Sequence, residues 1–282
     1  MAWTLTDDLN DYVAVAGGFL RSRPVQHTIQ LSVAQTLRAR GASAFGEAAP
    51  LFGWWRPGDD EITAAVLHTP PYPVLLTQLP EGCAESLAEA LAGCHRPVTG
   101  VTAAEGDATA FATAWSRLTG ASFREFRRSR LFLLGRLQPP DPGPRGAARV
   151  ATPADRALLE SWFAAFGQEI GESLGRSADA VDDRLSYRGL TLWEAGGAPV
   201  SLAGVHRPAS GTVRVAPVYT PPDHRRQGYA GAVTAAVSQA ALDGGADHVV
   251  LFTDLANPTS NALYQRLGYR PVEDRVVLHF GP

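Results

Sequence analysis

The sequence contains few of the residues on which disulfide-bonded and metal-binding proteins depend. Its 282 residues include only two cysteines, Cys83 and Cys94, and seven histidines. The two cysteines lie near opposite ends of a predicted helix, too far apart to bridge easily, so we expect reduced thiols. The histidines form no pair at metal-ligand spacing and no Cys/His cluster, so we predict no metal site.

Lysine and long apolar runs are also missing, which limits the class of partner. All 25 basic residues are arginine, and 28 acidic residues bring the net charge to −3. This balance argues against a nucleic-acid partner, and we expect the local basic run at 124–130 to lie mostly on a solvated strand face. No apolar run approaches the roughly eighteen residues of a membrane span, and we find no secretory signal. We therefore expect a cytoplasmic protein without a membrane partner.

A stretch rich in proline and glycine divides the chain into two halves of similar length. Residues 138–146 read QPPDPGPRG and contain nothing that would form a core. We predict a first domain at residues 1–137, a linker at 138–146 and a second domain at 147–282. The hydrophobic content of 45% is sufficient for a core of ordinary size in each half.

In the second half, residues 212–220 have the β-branched and aromatic composition of a strand, but Pro217 interrupts it. Proline cannot donate an N–H to a neighbouring strand. The apolar run at 247–253 suits a covered parallel partner, so the two strands should start together and then separate. This split would leave backbone groups of Val218, Tyr219 and Thr220 for an extended, amide-bearing ligand such as pantetheine.

The loop that follows this strand has the features of a diphosphate site. It opens a helix that runs to about Leu242, and the unpaired N–H groups of the first turn attract anions. A glycine permits close approach of the backbone, and two arginines add charge. The dinucleotide fingerprint Gly-x-Gly-x-x-Gly is absent, so we set that fold aside. The predicted diphosphate-binding residues are Arg225, Arg226, Gln227, Gly228, Tyr229 and Ala230.

A last helix is predicted at 258–267, with Asn257 as its N-cap and Gly268 just past its end. Three- and four-residue spacing places a polar side on this helix, which we expect to face the crevice. The phenol of a tyrosine there, with an ordinary pKa of about 10, could protonate a departing thiolate. The polar side contains Asn257, Ser260 or Asn261, and Tyr264, whereas Leu263 and Leu267 point to another side.

These elements resemble the acetyl-CoA-binding core of the GNAT superfamily of N-acetyltransferases. The resemblance is carried by a strand, an Arg-x-x-Gly-x-Ala loop, a helix, a strand and the pattern Asn-x-x-Ser-x-x-x-Tyr followed by Gly-Tyr, over about 212–272. It implies an α+β fold with a mixed α/β sheet, and acetyl-CoA as co-substrate. It also implies that Val218 to Thr220 bind pantetheine, that the arginine loop binds the diphosphate and that Tyr264 is the general acid.

The first half is interpreted as a degenerate copy of the same fold, so that two GNAT-like domains lie in tandem. Trp55, His68 and Pro70 match Trp193, His206 and Pro208 at one offset of 138 residues, and the predicted order of elements agrees. Residues 79–84, LPEGCA, place an acid where diphosphate needs cations, and Trp115 replaces the phenol. We therefore expect no acetyl-CoA in this half, which would cover a sheet edge, shape the acceptor pocket, or do both.

The expected reaction is direct attack of a neutral amine on the thioester of acetyl-CoA. The acceptor is a small-molecule or peptide amine that no residue identifies, and the protein is expected to be a monomer or homodimer. The general base stays open between Glu169, Glu172, Glu194, His206 and a water chain. Two alternatives also stay open: a non-catalytic acyl-CoA sensor, and a transferase that uses another acyl donor or aminoacyl-tRNA.

Overall fold

The computed structural model describes residues 2–58, 61–171 and 177–282, which form two compact units. The first unit contains the chain up to Leu131 together with Asp254–Ala256 and Val272–Pro282. The second contains Phe132–Thr253 and Asn257–Pro271. The units are therefore not continuous in sequence, since the end of the chain belongs to the first. The predicted domain limits at 137 and 147 stay a prediction.

The first repeat of the chain has ten helices and strands within the described residues. In order they are β1 (Ala2–Thr6), α1 (Leu9–Ser22), α2 (Thr28–Arg40), β2 (Leu51–Arg56), β3 (Ala64–His68), β4 (Val74–Leu76), α3 (Cys83–Gly93), β5 (Gly100–Ala104), α4 (Glu105–Thr119) and β6 (Ser122–Leu134).

The second repeat has the same ten elements in the same order. They are β7 (Ala147–Val150), α5 (Arg156–Ile170), α6 (Ser177–Ser186), β8 (Leu190–Ala195), β9 (Ala198–Val205), β10 (Thr212–Tyr219), α7 (Tyr229–Asp243), β11 (His248–Asp254), α8 (Pro258–Arg266) and β12 (Tyr269–Gly281). Trp55 and Trp193 lie in the equivalent strands β2 and β8, in agreement with the offset found in the sequence.

The strands of each repeat pair in the same way. β1, β2, β3 and β4 are antiparallel neighbours in this order, and β4 pairs parallel with β5. In the second unit β7, β8, β9 and β10 are antiparallel neighbours, and β10 pairs parallel with β11. The predicted mixed sheet is therefore confirmed in both units.

The final strand departs from this simple repetition. In the first unit β5 pairs antiparallel with residues 275–279 of β12, so the last strand of the second repeat completes the sheet of the first unit. The local sequence of a strand specifies its alternation of side chains but not its neighbour. This is why the exchange could not be read from the sequence.

One pair of helices covers each face of each sheet, because both faces of the sheet carry apolar side chains that pack against the helices. In the second unit, α5 and α6 pack on one face with Leu190, Leu192 and Leu202. α7 and α8 pack on the other with Val215 and Leu251. Residues 249–251 of β11 are all buried, as expected of a parallel strand covered on both faces. Within the described ranges, none of the helices has the length and apolarity needed to cross a bilayer.

The buried His68 at the end of β3 should make the stability of the protein depend on pH. Burial lowers the pKa of this imidazole from 6.5 to about 4, and the charge of Arg96 acts in the same direction. The unfolded chain takes up a proton near pH 6.5, but the folded chain does not until about pH 4. We expect the free energy of unfolding to fall through this window by up to about 3 kcal/mol. Urea unfolding at pH 7.5 and 4.5 measures this loss.

His68→Phe is the matched variant, because it fills the same buried position without a titrating group. Its loss of stability between the two pH values should be smaller than that of the wild type. An equal loss in both proteins would show that His68 does not cause the effect.

Candidate functional site

The parallel ladder between β10 and β11 is short. Thr212–Val215 pair with His248–Leu251, and within the described residues the pairing goes no further. The pairing of β10 with β9 shifts register between Val215 and Val218. Pro217 lies in this interval and cannot donate to either neighbour. The predicted interruption of the strand is confirmed, and a wedge between β10 and β11 opens beyond Val215.

The backbone groups of the three predicted pantetheine-binding residues at this wedge are partly hydrogen-bonded within the protein. Val218 and Tyr219 pair with β9. The carbonyl oxygen of Tyr219 accepts a hydrogen bond from Ser201 Oγ at 3.1 Å, and that of Thr220 accepts one from Arg225 Nε at 2.8 Å. The expectation of free backbone groups at Val218, Tyr219 and Thr220 is therefore corrected for these two carbonyls. Their role in binding pantetheine stays a prediction.

The first turn of α7 has the backbone groups that the predicted anion site requires. Its N-cap Gly228 has φ of 85°, a left-handed conformation that favours glycine. No side chain in the described part of the chain caps this helix, and its first intrahelical bond runs from Ala232 N to the Gly228 carbonyl. The N–H groups of Tyr229 and Ala230 precede that bond, so they and the helix dipole are available to an anion. Gln227 in the loop donates to the carbonyl of Asp223 at 3.4 Å.

The two arginines of the loop have different surroundings. Arg225 pairs with the carboxylate of Glu169 near the end of α5, and its guanidinium lies 6.0 Å from the ring centroid of Tyr219. Arg226 is exposed, with φ of 62°, and forms no ion pair with the described residues. Glu169 thus balances the charge of Arg225, whereas Arg226 is exposed. The prediction that both arginines bind a diphosphate stays a prediction.

The predicted linker packs beside this loop. A side chain added at Gly228 would meet Pro144 at 3.7 Å, and one added at Gly231 would meet Pro140 at 3.5 Å. Trp193 Nε1 donates to the carbonyl of Arg145 at 3.1 Å. Residues 138–146 are thus held against the second unit, near the start of α7. The proline content predicted an extended segment, but its packing partner is not visible in the sequence.

Helix α8 begins at the predicted residue, but Tyr264 does not lie on the side of the helix that was predicted. The side chain of Asn257 accepts a hydrogen bond from Ser260 N at 3.0 Å, which confirms the N-cap. Tyr264 is buried in the same apolar cluster as Leu267, and its ring meets that of Tyr269 edge-on at 6.1 Å. The expected separation of Tyr264 from the leucine side is therefore wrong. Burial raises the pKa of Tyr264 to about 12.

Of the carboxylates considered as general base, two are held in ion pairs. Glu169 pairs with Arg225, and Glu194 pairs with Arg149 at 2.7 Å on the strands β7 and β8. Glu172 lies outside the described residues. In each of these pairs the carboxylate already accepts a hydrogen bond from a guanidinium. Neither Glu169 nor Glu194 is therefore favoured as the base.

His206, the fourth candidate, lies just past the end of β9. Its backbone N–H donates to the carbonyl of Arg214 at 2.9 Å. Burial, together with the positive charges of Arg214 and Arg184, holds the pKa of His206 well below its ordinary value of 6.5. The imidazole is consequently neutral at physiological pH, and its lowered pKa makes it a weaker base than an ordinary histidine. Among the described residues, no group of His, Cys, Asp or Glu is arranged to hold a metal ion.

Comparison with known proteins agrees with this geometry. Residues 156–269 match the model of the acetyltransferase (GNAT) family. This part of the chain is a GNAT domain. No curated protein sequence matches the chain. The family transfers acyl groups, and its fold binds acyl-CoA.

Solved structures extend the likeness to the whole chain. A GNAT-family acetyltransferase from Colwellia psychrerythraea is 10% identical with a TM-score of 0.63, and 99% of each chain is covered. A GCN5-related N-acetyltransferase from Sphaerobacter thermophilus is 17% identical with a TM-score of 0.61, covering 99% of this chain and 95% of its own. A tandem GNAT protein from the clavulanic acid biosynthesis pathway is 17% identical with a TM-score of 0.58, covering 99% and 98%. At these identities the likeness shows the fold alone, and the fold is a tandem pair of GNAT-like units.

The GNAT-like fold of the first unit has the same helix start but a different wedge. Gly82 is the N-cap of α3 with φ of 75°, as Gly228 is of α7. β4 pairs with β5 at only two positions, Val74 with Val101 and Leu75 with Thr102. The backbone beyond this pair is saturated from within the unit, because the Leu79 N–H donates to Asp107 Oδ1 at 3.0 Å.

Arg275 lies on the part of β12 that belongs to the first unit, and it hydrogen-bonds a second backbone group beyond the β4–β5 pair. It is buried, and its Nη2 donates to the Leu76 carbonyl at 2.9 Å, which also accepts a hydrogen bond from Gln30 Nε2 at 3.1 Å. Its Nη1 donates to Glu273 Oε1 at 3.1 Å. Sequence reasoning missed this residue, although an arginine directly before the apolar residues 276–278 was a signal. That this half holds no acetyl-CoA stays a prediction.

The contrast between the two wedges predicts the stoichiometry of binding. We expect one acetyl-CoA per chain, because only the second unit combines an open ladder with an uncapped helix start and an available arginine. Isothermal titration of the full chain measures this number. Two equivalent sites per chain would show that the contacts of Arg275 and Gln30 do not close the first wedge.

The two helix-capping glycines offer a matched pair of variants. Gly228→Ala and Gly82→Ala each place a side chain in a left-handed conformation, so each should cost about 1–2 kcal/mol of stability. Only Gly228→Ala should also weaken acetyl-CoA binding, by about tenfold, because the added methyl group and strain disturb the anion site. Thermal unfolding and titration calorimetry separate the two effects. Equal affinity losses in both variants would contradict the assignment of the site.

Proposed function

We propose that this protein is an N-acetyltransferase that moves the acetyl group of acetyl-CoA to a primary amine. The observation that carries the proposal is the break in the β10–β11 ladder after Val215, followed, after the end of β10 and one loop, by the uncapped start of α7. A GNAT domain contains both features. Together they suit a ligand with an extended amide chain at one end and a diphosphate at the other.

In the proposed complex, the pantetheine chain lies against β10 beside Val218, Tyr219 and Thr220. The diphosphate accepts hydrogen bonds from the N–H groups that follow Gly228, and Arg226 contributes charge. Arg225 reaches the diphosphate only by leaving Glu169, so in the resting arrangement its contribution is to hold the loop through the Thr220 carbonyl. Asn257 and Ser260 at the start of α8 remain proposed cofactor contacts.

The transfer itself requires a neutral amine nitrogen. The nitrogen attacks the thioester carbon, a C–N bond forms, and the backbone N–H beside Val218 stabilises the negative charge on the carbonyl oxygen. The C–S bond then breaks, the sulfur takes a proton from Tyr264, and the nitrogen releases one proton to the base. The base stays open between Glu172, His206 and a water chain, since Glu169 and Glu194 are held by arginines.

The burial of Tyr264 has a consequence for the pH dependence of the reaction. A pKa of about 12 keeps the phenol protonated at every practical assay pH, so the proton is always present. The same shift of the pKa makes Tyr264 a weaker acid. Its transfer of a proton to sulfur therefore relies on direct contact between the phenol and the sulfur. Ionisation of Tyr264 should therefore cause no loss of activity below about pH 10.

A panel of primary amines tests the function. Each amine is mixed with the protein and acetyl-CoA, and release of free thiol is followed alongside mass spectrometry of the acetylated amine. Turnover of at least one small amine, peptide or protein amino group is expected. If acetyl-CoA binds and no amine is turned over, the acyl-CoA sensor becomes the correct description. If acetyl-CoA does not bind, both descriptions are wrong.

Replacement of the proposed acid makes a separate prediction. Tyr264→Phe should lower kcat by about 10²-fold, because the thiolate then leaves without a positioned proton donor. The affinity for acetyl-CoA should not change, since the ring remains in its cluster. Steady-state kinetics and titration calorimetry provide the two values.

Tyr269→Phe is the control for this experiment. Tyr269 is the aromatic neighbour of Tyr264, and its hydroxyl lies 2.7 Å from Ser238 Oγ in the buried core. Its removal should cost about 1 kcal/mol of stability while kcat stays near the wild-type value. Similar losses of kcat in both variants would indicate a packing effect and remove the acid role.

A further inference from the structure

An ion pair joins the loop before α7 to the end of helix α5. Arg225 Nη2 donates to Glu169 Oε1, and Glu169 is the last residue but one of that helix. Arg225 Nε donates to the carbonyl oxygen of Thr220 at 2.8 Å, directly after β10. The guanidinium is therefore held by two acceptors, one at the end of α5 and one at the end of β10.

These contacts hold the guanidinium on the side of the sheet that α5 covers. The guanidinium of Arg225 lies 6.0 Å from the ring centroid of Tyr219, and that ring lies 6.1 Å from the ring of Trp162 on α5. Helix α7, whose first turn would bind the diphosphate, packs on the opposite face with Val215. Arg225 must therefore leave Glu169 before it can join a diphosphate at that turn.

The ion pair is weak enough to be exchanged. The side chain of Arg225 is 42% exposed and that of Glu169 is 44% exposed. An ion pair at such exposure changes an equilibrium constant by a factor of only about two to five, because water screens the charges. A diphosphate carries more charge than a carboxylate and accepts two hydrogen bonds from one guanidinium, so it can displace Glu169.

The neighbouring Arg226 needs no such exchange. It is exposed and forms no ion pair with the residues that the structure describes. A diphosphate could therefore meet Arg226 without any rearrangement, whereas it meets Arg225 in competition with Glu169. A carboxylate that stayed beside a bound diphosphate would also repel it, since like charges at short distance are unfavourable.

We propose that Glu169 is an internal competitor of the diphosphate for Arg225. The carboxylate holds Arg225 in the free protein, gives it up when CoA binds and takes it back when CoA leaves. Glu169 is thus a positioning residue that lowers the affinity for CoA and speeds its release, a step that limits turnover in many enzymes. This inference rests on the proposed function, because it concerns the diphosphate end of the same site.

Titration of CoA into the wild type and Glu169→Gln tests the proposal without any turnover. Glutamine keeps the length of the side chain and removes its charge, so Arg225 becomes available. We expect the variant to bind CoA about two- to fivefold more tightly, and to release it more slowly by a similar factor in stopped-flow displacement. Unchanged affinity would overturn the proposal. Weaker binding would also overturn it, since Glu169 would then orient Arg225 toward the diphosphate.

Second substitutions show whether the gain in affinity passes through Arg225. In an Arg225→Gln background, Glu169→Gln should leave the affinity for CoA unchanged, because no guanidinium remains to be contested. In an Arg226→Gln background the gain should persist. Glu160→Gln, on the same helix and paired with Arg156, is the charge-matched control and should have the wild-type affinity. A gain that persists without Arg225 would show simple repulsion by the carboxylate and overturn the exchange.

Salt provides a readout that a purely structural role of Glu169 would not change. At about 1 M salt the screening length is roughly 3 Å, so the ion pair between Glu169 and Arg225 loses most of its strength. The difference in CoA affinity between the wild type and Glu169→Gln should then disappear. A difference that is the same at low and high salt would indicate altered packing and reject the competition.

These measurements also separate this inference from the proposed function, because they need no amine. Tighter binding of CoA by Glu169→Gln in a protein that acetylates no amine would support the competition and reject the transferase. Turnover by a protein whose CoA affinity does not depend on Glu169 would support the transferase and reject the competition. Failure of CoA to bind would reject both.

Discussion

One missing hydrogen-bond donor organises the second unit. Pro217 cannot contribute to the ladder, so β10 pairs with β11 only through Val215, and the backbone beyond it is turned away from the neighbouring strand. The chain then enters the loop before α7, and the left-handed Gly228 starts the helix with its first N–H groups uncapped. The wedge is thus followed, across one loop, by a helix start whose N–H groups suit an anion. A ligand with a polar chain and a charged tail could use both.

The first unit has the same order of elements, but the backbone groups at its wedge are hydrogen-bonded to side chains of the unit. Its ten elements repeat those of the second half, and Gly82 has the conformation of Gly228. However, Arg275 and Gln30 hold the Leu76 carbonyl, and Asp107 holds the Leu79 amide. These are backbone groups of the kind that a bound strand-like ligand would satisfy. Since a buried carbonyl or N–H is costly when unpaired, these internal partners stabilise the first unit and occupy the groups that such a ligand would need.

Ion pairs hold both ends of β10 in the second unit. At the end where β10 leads into α7, Arg225 is balanced by Glu169 while Arg226 is exposed. Near the other end, Arg207 pairs with Asp183, and its guanidinium lies 4.3 Å from the ring centroid of Tyr187. The hydroxyl of Tyr187 in turn donates to the Val205 carbonyl at the end of β9. These contacts fix the edges of the sheet on either side of the wedge.

Local signals in the sequence were sufficient for the elements and for much of the site. The β-branched run and Pro217 predicted the broken strand, the proline and glycine content predicted the linker, and Asn257 predicted a helix start, because each depends on backbone chemistry within a few residues. Tertiary structure alone decided which groups satisfy one another. Glu169 balances Arg225, Tyr264 is buried beside Leu267, and β12 completes the sheet of the first unit and brings Arg275 to Leu76. These pairings join residues far apart in the chain, and propensity and periodicity carry no information about which distant partner a charge or a strand edge will meet.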